Sequence, residues 1–442
     1  MKNSYFLLFL LLTPLICAYY PYNYSEITVK YNMDYVLSLG QDLDNKDWMD
    51  LKFLRPIVFE TAKENIIVGS QSITPTSEFD KYGNGWITYK LKNVNQDIKL
   101  PIEYIIKSPQ PTDTKYLDYS DSNYVIISPE IQKLANNLYD KDIIIFLINV
   151  TDWINKNLEY DYSKLSDLYY DVDNSVDTLT QKKGVCVDFS IFESAILKSK
   201  GYETRLVVGY VFDGKNWGSH AWLEVYDSNY KWIGADPTYN QVYYLDVTHI
   251  KSATFSDYDE MHDTILANVS LDGFMLNKPN ALDLNISLIS TKGIIEKYNL
   301  EYPQKLKSGE EFKFCIDSNF LVLPIAFFSS LEQKEIIGNL YRNYCLDLKA
   351  PDINGIAYVP YILYLPGEKI DGNFKVVSEK IANSIKSVNI TPGVNTDNKQ
   401  DAGDNNKQTP EESEDYLNIV IFAVVLGAVV ILLALIKRYF FK

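Results

Sequence analysis

Gly184–Ser190, with the sequence GVCVDFS, is the stretch that decides the fold. Apolar side chains recur at helical spacing just after its cysteine: Phe189, Phe192, Ile196 and Leu197. This spacing predicts a helix with one apolar face, which Gly201 would end. Cys186 would then lie at the helix start, where unpaired N–H groups and the helix dipole favour a thiolate. The position suits a nucleophile, although a small buried residue is the alternative.

A second stretch supplies a base for this thiol. His220, one of three histidines, lies in Ser219–Tyr226, whose sequence SHAWLEVY alternates in the manner of a strand. A short turn leads to a second predicted strand, Tyr230–Ala235, which ends at Asp236. A hairpin would bring His220 and Asp236 to one end of adjacent strands. Cys186, His220 and Asp236 then have the order and setting of a thiol-hydrolase triad, although an Asp before a proline is also a common turn residue.

Together these motifs resemble the core of the transglutaminase-like superfamily. The resemblance rests on GVCVDFS, the run from Ala195 to Tyr210, HAWLEVY, and ADPT at Ala235–Thr238, in this order. A helix ending in WINKNLEY at Trp153–Tyr160, upstream of the cysteine, belongs to the same pattern. The resemblance implies a papain-like fold, in which a helix with the cysteine packs against an antiparallel sheet with the histidine and the aspartate. It also implies three catalytic residues: Cys186 as nucleophile, His220 as base and Asp236 as orienting acid.

The whole chain is predicted to be α+β, with a papain/transglutaminase-like core between N-terminal and C-terminal β-sandwich domains and a C-terminal transmembrane helix. Alternating, strand-like segments punctuated by Pro and Gly lie on both sides of the core. Ser128-Pro129 opens the helical part. The expected boundaries are 1–18 for a signal peptide, 19–127 for the N-terminal β-sandwich, 128–280 for the core, 281–386 for an immunoglobulin-like C-terminal β-sandwich, 387–415 for a disordered linker, 416–436 for the transmembrane helix and 437–442 for a cytoplasmic tail.

Both ends of the chain carry apolar segments. Met1–Ala18 has a lysine, an apolar run and a small residue in the order typical of a signal peptide, whose cleavage stays open. Leu417–Ile436 is uncharged and nearly all apolar, which predicts a transmembrane helix. Acidic residues precede it and Lys437 and Arg438 follow it, so we expect the C-terminus in the cytoplasm and the body outside the cell membrane. With this single span, the chain resembles membrane-anchored surface proteins of prokaryotes, archaea in particular.

Composition argues against several classes of function. The net charge of −16 argues against nucleic acid as a partner, and the chain has no glycine loop of the Walker or Rossmann type. His249 and His262 lie in no matched motif, so we expect them to be structural, and we expect no metal and no cofactor. Four cysteines are too few for a disulfide scaffold. Pairing of Cys315 with Cys345 stays open.

The predicted function is that of a membrane-anchored, extracytoplasmic thiol enzyme. An amide or peptide acyl group would pass to Cys186 as a thioester and then to water or to another amine. The resemblance favours a peptidase or amidase over a crosslinking transglutaminase. The alternative is a non-catalytic surface binding or stalk protein that uses the core as a scaffold. The expected partners are a protein or peptide substrate at the cell surface and the membrane, and the oligomeric state is not predicted.

Other groups of the site are less determined by the sequence. The backbone N–H of Cys186 is a natural oxyanion donor, because it lies at a helix start. Three tryptophans either line the acyl cleft or pack in the core, with core packing favoured: Trp217, Trp222 and Trp232.

Overall fold

The computed structural model describes residues 23–39, 48–68, 70–92, 98–110, 122–166, 171–258, 265–269, 276–277, 283–331, 334–342 and 344–378. The chain divides into two units, Met1–Lys386 and Ser387–Lys442, and all described residues belong to the first. The predicted signal peptide, linker, transmembrane helix and cytoplasmic tail lie outside the described residues. Among the helices that are described, none is long and apolar enough to cross a membrane.

Two sheets packed face to face form the N-terminal β-sandwich. Its first eight strands are β1 Tyr24–Leu39, β2 Trp48–Arg55, β3 Thr61–Lys63, β4 Ile66–Val68, β5 Gln71–Ile73, β6 Thr76–Phe79, β7 Gly85–Lys92 and β8 Ile98–Ser108. Strands β1, β8 and β3 form one sheet and β2, β7 and β6 the other, while β4 and β5 form a hairpin. Alternate residues of β8 are buried, as expected for a strand with one face toward the core. Strand β1 is continuous, because Ile27 through Leu37 pair with β8 without interruption.

Four helices and seven strands follow. The helices are α1 Pro129–Leu138, α2 Ile143–Asn157, α3 Ser175–Gln181 and α4 Cys186–Lys198. The strands are β9 Glu159–Tyr160, β10 Lys183–Gly184, β11 Thr204–Phe212, β12 Trp217–Asp227, β13 Lys231–Asp236, β14 Gln241–Val242 and β15 Ile250–Phe255. As predicted, α1 begins at Pro129 with Ser128 as its cap. Asn174 caps α3, because its side chain accepts from the N–H groups of Val176 and Asp177.

Helix α4 lies at the centre of this core. Its residues from Cys186 to Leu197 are all buried, and they pack with α1, α2 and the neighbouring sheet in one hydrophobic cluster. The sequence predicted that only one face of this helix is buried, whereas the structure buries all of its faces. A helix that is surrounded by other elements has no face in contact with water. Glu193 is buried too, and its Oε1 accepts a hydrogen bond of 2.7 Å from Thr151 Oγ1. Burial raises the pKa of Glu193 to about 8, so its carboxyl group is mostly neutral at pH 7.

The sheet beside α4 has the strand order β14-β13-β12-β11-β15, and all its neighbours are antiparallel. Strands β12 and β13 form the predicted hairpin, with Asp227 opposite Lys231 beside the turn and Leu223 opposite Ala235 farther along. Leu223 and Ala235 belong to the same cluster as α4. The core therefore has the helix-on-sheet arrangement that the motifs predicted.

The next three strands return to the N-terminal sandwich. They are β16 Ile265–Val269, β17 Leu276–Asn277 and β18 Asp283–Gly293. Strand β16 pairs with β2, and β17 and β18 pair with β1. The structure thus differs from the predicted boundary at 280/281, because residues on both sides of it complete the N-terminal sheets. Alternation predicts strands on this side of the core but cannot tell which sheet a strand joins.

Eight strands form the C-terminal β-sandwich. They are β19 Asn299–Glu301, β20 Leu306–Lys307, β21 Glu311–Asp317, β22 Val322–Ser329, β23 Glu335–Tyr341, β24 Cys345–Lys349, β25 Ile356–Leu365 and β26 Glu368–Val377. One sheet has the order β19-β21-β24 and the other β20-β26-β25-β22-β23. Cys315 lies opposite Cys345 in the first sheet, and the two form a disulfide. The sequence analysis had left this pairing open.

Candidate active site

The backbone turn that begins α4 depends on Asp188. Val185, in an extended conformation, precedes the helix, and its N–H donates to Asp188 Oδ2 at 2.8 Å. A Cβ atom on Gly184 would lie 2.8 Å from Asp188 Cβ, so the position requires glycine. Cys186 is consequently the first helical residue. Its backbone N–H has no acceptor inside the helix, as at any helix start.

Charged groups outside the helix hold Asp188 in turn. Lys164 Nζ lies 2.8 Å from Asp188 Oδ2 and 2.9 Å from Asp173 Oδ2, and the N–H of Asp173 donates to Asp188 Oδ1 at 2.9 Å. Burial raises the pKa of Asp188, although Lys164 and the backbone donors oppose the rise. The approach loop and the start of α4 are therefore tied together at one carboxyl group.

His220 and Asp236 meet at the end of adjacent strands, as predicted. His220 Nε2 lies 2.6 Å from Asp236 Oδ2, and both side chains are buried. Asp236 Oδ1 accepts the N–H groups of Thr238 and Tyr239 at 2.8 and 3.2 Å. The turn after β13 therefore fixes the carboxylate, and the carboxylate fixes the imidazole.

The charges of this pair are stabilised mutually. Burial raises the pKa of Asp236, but the nearby imidazoles lower it further, so it stays well below its usual range. Burial lowers the pKa of His220, but the charge and hydrogen bond of Asp236 prevail and raise it to about 10. Asp236 is therefore a carboxylate, and His220 readily holds a proton.

The thiol of Cys186 lies beside this imidazole. The Cys186 residue is only 8% exposed. Burial raises the pKa of the thiol, while the hydrogen bond and charge of His220 and the N–H of Ala221 lower it, and the net shift is downward. Because Nε2 of His220 faces Asp236, Nδ1 is the ring nitrogen left for the thiol. Cys186, His220 and Asp236 are thus neighbours in the structure, and their catalytic roles stay a prediction.

Tyr160 is a contact that the sequence analysis missed. Tyr160 in the short strand β9 pairs with Gly184 in the parallel strand β10. Tyr160 therefore lies beside the backbone that leads into Cys186. The Tyr160 hydroxyl lies close enough to the Cys186 side chain and to the Cys186 backbone N–H for both to affect its pKa. Burial, followed by the neighbouring thiol, raises the pKa of Tyr160. The WINKNLEY motif contained this residue, but nothing in it indicated a contact with the thiol.

His249 is the second residue that the sequence analysis missed. Its Nε2 lies 3.0 Å from Asp236 Oδ2, and its Nδ1 lies 3.1 Å from the carbonyl oxygen of Asp246. His249 thus shares a carboxylate oxygen with His220 and lies within the site, where the sequence analysis did not place it. No motif contains it, and only the fold brings it to Asp236. His262 lies outside the described residues.

One group in the described part of the chain has ligand atoms within 4.8 Å of one another: His220, Asp236 and His249. Hydrogen bonds from both imidazoles to Asp236 Oδ2 account for this grouping. We therefore do not identify these residues as metal ligands.

The tryptophans serve mainly in packing. Trp222 is buried and stacks on His220, with 6.0 Å between ring centroids. Trp217 packs against the core of the N-terminal sandwich. The guanidinium of Arg205 lies 4.1 Å from the ring centre of Trp232. Trp222 and Trp232 also line a cavity of about 330 Å³, but Cys186 is not part of its wall.

Comparison with known proteins agrees with this geometry. Residues 132–237 match the transglutaminase-like superfamily, and this segment contains Cys186, His220 and Asp236. No curated protein matches the chain.

Three solved structures are among those that match the chain. A candidate cysteine protease from Cytophaga hutchinsonii is 19% identical, with 61% of this chain and 93% of that chain covered and a TM-score of 0.41. LapG from Legionella pneumophila is 17% identical, with 36% and 92% covered and a TM-score of 0.24. Red sea bream transglutaminase is 10% identical, with 79% and 95% covered and a TM-score of 0.23.

Proposed function

We propose that this protein is a thiol enzyme that cleaves or transfers amide or peptide acyl groups through a thioester on Cys186. One observation carries the proposal. A thiol at the first residue of a buried helix lies beside an imidazole that a buried carboxylate holds at 2.6 Å. Hydrogen bonding to His220 lowers the pKa of this thiol despite its burial, as a nucleophile requires.

The reaction follows from the positions of these groups. His220 takes the proton of Cys186, and the sulfur attacks the carbonyl carbon to form a tetrahedral oxyanion. His220 then donates the proton to the leaving amine as the C–N bond breaks, which leaves a thioester. Water, deprotonated by His220, attacks the thioester, releases the acid and restores the thiol. Asp236 accepts the Nε2–H of His220 throughout and keeps Nδ1 directed at the sulfur.

The oxyanion would form beside the start of α4. The backbone N–H of Cys186 has no acceptor inside the helix, and it would turn to the oxyanion from the Tyr160 hydroxyl that it now faces. The Tyr160 hydroxyl, which now contacts both this N–H and the sulfur, would lie next to the oxyanion. We propose that the hydroxyl moves onto the oxyanion and donates to it.

Hydrolysis of a peptide or amide is the outcome we favour over crosslinking, on the strength of the motif resemblance. The substrate would be a protein or peptide at the cell surface, because the terminal segments predict export and a single membrane anchor. The acidic composition supports no nucleic-acid partner.

Turnover of peptide-amide substrates by the full chain and three variants tests the proposal. Cys186→Ala should abolish turnover and His220→Ala should nearly do so, because the thiol then lacks its base. Asp236→Asn should cost less, on the order of 10–10³-fold, since a thiol of lowered pKa depends less on the carboxylate. The measurement is release of the amine, with circular dichroism as a control for folding.

Adding a primary amine to the same assay separates the two acyl acceptors. Incorporation of the amine into the product at the expense of the free acid would indicate a transamidase. Wild-type turnover by folded Cys186→Ala would refute the enzyme and favour a surface binding or stalk protein.

A further inference from the structure

The Asp236 carboxylate makes only acceptor contacts. Its Oδ1 accepts two backbone N–H groups, at 2.8 and 3.2 Å. Its Oδ2 faces Nε2 of His220 at 2.6 Å and Nε2 of His249 at 3.0 Å. When both oxygens of a carboxyl group accept hydrogen bonds from two donors each, neither oxygen can also carry a proton. Asp236 is therefore ionised, and each of the two imidazoles donates to it through Nε2.

His249 must then carry a second proton. Its Nδ1 faces only acceptors, the carbonyl oxygen of Asp246 at 3.1 Å and Asp246 Oδ2 at 3.4 Å. A neutral imidazole has one donor and one acceptor, so it would leave one of these contacts without a proton. With both nitrogens facing oxygens, His249 fits its surroundings only as an imidazolium.

Asp246 is ionised for the same reason as Asp236. Its Oδ1 accepts from the N–H and the hydroxyl of Thr248 at 2.8 and 2.5 Å, and its Oδ2 accepts from Gln241 Nε2 at 2.8 Å. Burial raises the pKa of Asp246, but His249, Thr248 and Gln241 lower it further. One positive charge thus lies between two buried carboxylates.

The remaining neighbours of His249 are three aromatic rings, among them the His220 imidazole, and a group of ion-paired side chains on the cavity side. The rings of Trp222, His220 and Tyr239 lie 5.1, 5.9 and 6.4 Å away between centroids. On the cavity side, Glu224 and Lys251 line the same wall, and Glu224 forms ion pairs with both Lys251 and the buried Arg205. Burial lowers the pKa of His249, but the two carboxylates raise it further, to about 9.

We propose that His249 is a positioning residue for the reaction of Cys186, acting as an imidazolium that fixes Asp236 Oδ2 and offsets part of its charge. This inference rests on the proposed function. A lone buried carboxylate would hold the proton on His220 strongly, whereas the reaction requires His220 to release it to the leaving amine. A second positive charge 5.9 Å away makes the protonated form of His220 less favourable. His249 thereby brings the pKa of His220 closer to the working pH.

Nuclear magnetic resonance of the histidine Cε1–H groups tests the inference in the full chain. Only three histidines contribute signals, and His249→Gln and His262→Gln assign them. We expect the His249 signal to stay at its imidazolium position through pH 8. In His249→Gln, which keeps an N–H donor for Asp236 but no charge, the pKa of His220 should rise by about one unit. His262→Gln should leave the pKa of His220 unchanged.

Two results would overturn the inference. One is a His249 pKa at or below about 6.5, the ordinary value. The other is a His220 pKa that stays the same in folded His249→Gln. If that variant fails to fold, Asp246→Asn replaces it and should lower the pKa of His249 by at least about one unit, and an unchanged value would refute the assignment. None of these signals depends on the reactivity of Cys186, so an unreactive thiol would count against the proposed function alone.

Discussion

At the scale of single residues, the chemistry depends on the donors that surround one sulfur atom. His220, the N–H of Ala221 and the Tyr160 hydroxyl all contact the Cys186 side chain. Each stabilises a thiolate more than a thiol, and together they outweigh the burial that favours the neutral form. A buried cysteine without such donors would be inert, so the position of these three groups separates a nucleophile from a packing residue.

Replacing Tyr160 with phenylalanine removes one of these donors and keeps the ring. The ring packs against Phe189 with 6.0 Å between centroids, so the fold should persist. We expect the pKa of the thiol to rise and alkylation by iodoacetamide at pH 7 to slow by about threefold to tenfold, because one hydrogen bond to the thiolate is lost. Tyr162→Phe is the matched control, since Tyr162 is 77% exposed and should not matter. Equal rates for Tyr160→Phe and wild type would exclude a contact with the thiolate.

The contact between His220 and Asp236 could be predicted from the sequence because the two residues are near in the chain. His220 and Asp236 belong to one hairpin, so their meeting follows from the strand pattern and the turn. Tyr160 and His249 reach the site only through the packing of separate elements. The sequence shows that both residues carry polar groups, but it does not show which residues they contact. Local periodicity carries no information on pairing between distant segments.

At the scale of elements, the loop-to-helix transition at Gly184 positions the nucleophile. Asp188 accepts the N–H of Val185, pairs with Lys164 and fills the space beside Gly184. The motif GVCVD therefore has a structural reason for its glycine and its aspartate, separate from the chemistry of its cysteine. Sequence periodicity found α4 but underestimated its burial, since neighbours on all sides come from distant segments.

Gly184→Ala tests this packing. The added Cβ would lie 2.8 Å from Asp188 Cβ, so the backbone must shift. We expect a loss of about 1–3 kcal/mol in the free energy of unfolding, measured by denaturant titration, and slower alkylation of Cys186. Gly218→Ala is the control, because nothing lies within 4 Å of its added Cβ, and it should change stability by less than about 0.5 kcal/mol. Equal stability of the two variants would contradict the account of this turn.

At the scale of the whole molecule, the core is joined to both sandwiches. Strands β16, β17 and β18 follow the core and complete the sheets that precede it. Asn339 of the C-terminal sandwich donates to the carbonyl oxygen of Asn240 in the core at 2.8 Å. The sequence predicted the α+β class and the order of the parts. It could not predict the return of the chain to the first sandwich, because strand partners at long separation leave no local signal.

The membrane anchor remains a prediction from the sequence, and it has a direct test. Acidic residues before Leu417 and basic residues after Ile436 favour one span with the body outside. Protease added to intact cells should release the body by cutting first within residues 395–408, which lack apolar runs. Protection of the body in intact cells, with cleavage only after lysis, would reverse the orientation.

The pH dependence of Cys186 alkylation tests the central claim most directly. The rate of iodoacetamide alkylation of the folded full chain is measured as a function of pH and gives the pKa of this thiol. Mass spectrometry of the modified peptide distinguishes Cys186 from Cys17. We expect a value below the ~8.5 of a free cysteine, because His220 lowers the pKa more than burial raises it. In His220→Ala the largest opposition to burial is lost and only the weaker donors around the sulfur remain, so the pKa of the thiol should rise clearly above the wild-type value. A wild-type value at or above that of free cysteine, unchanged in His220→Ala, would contradict an activated nucleophile.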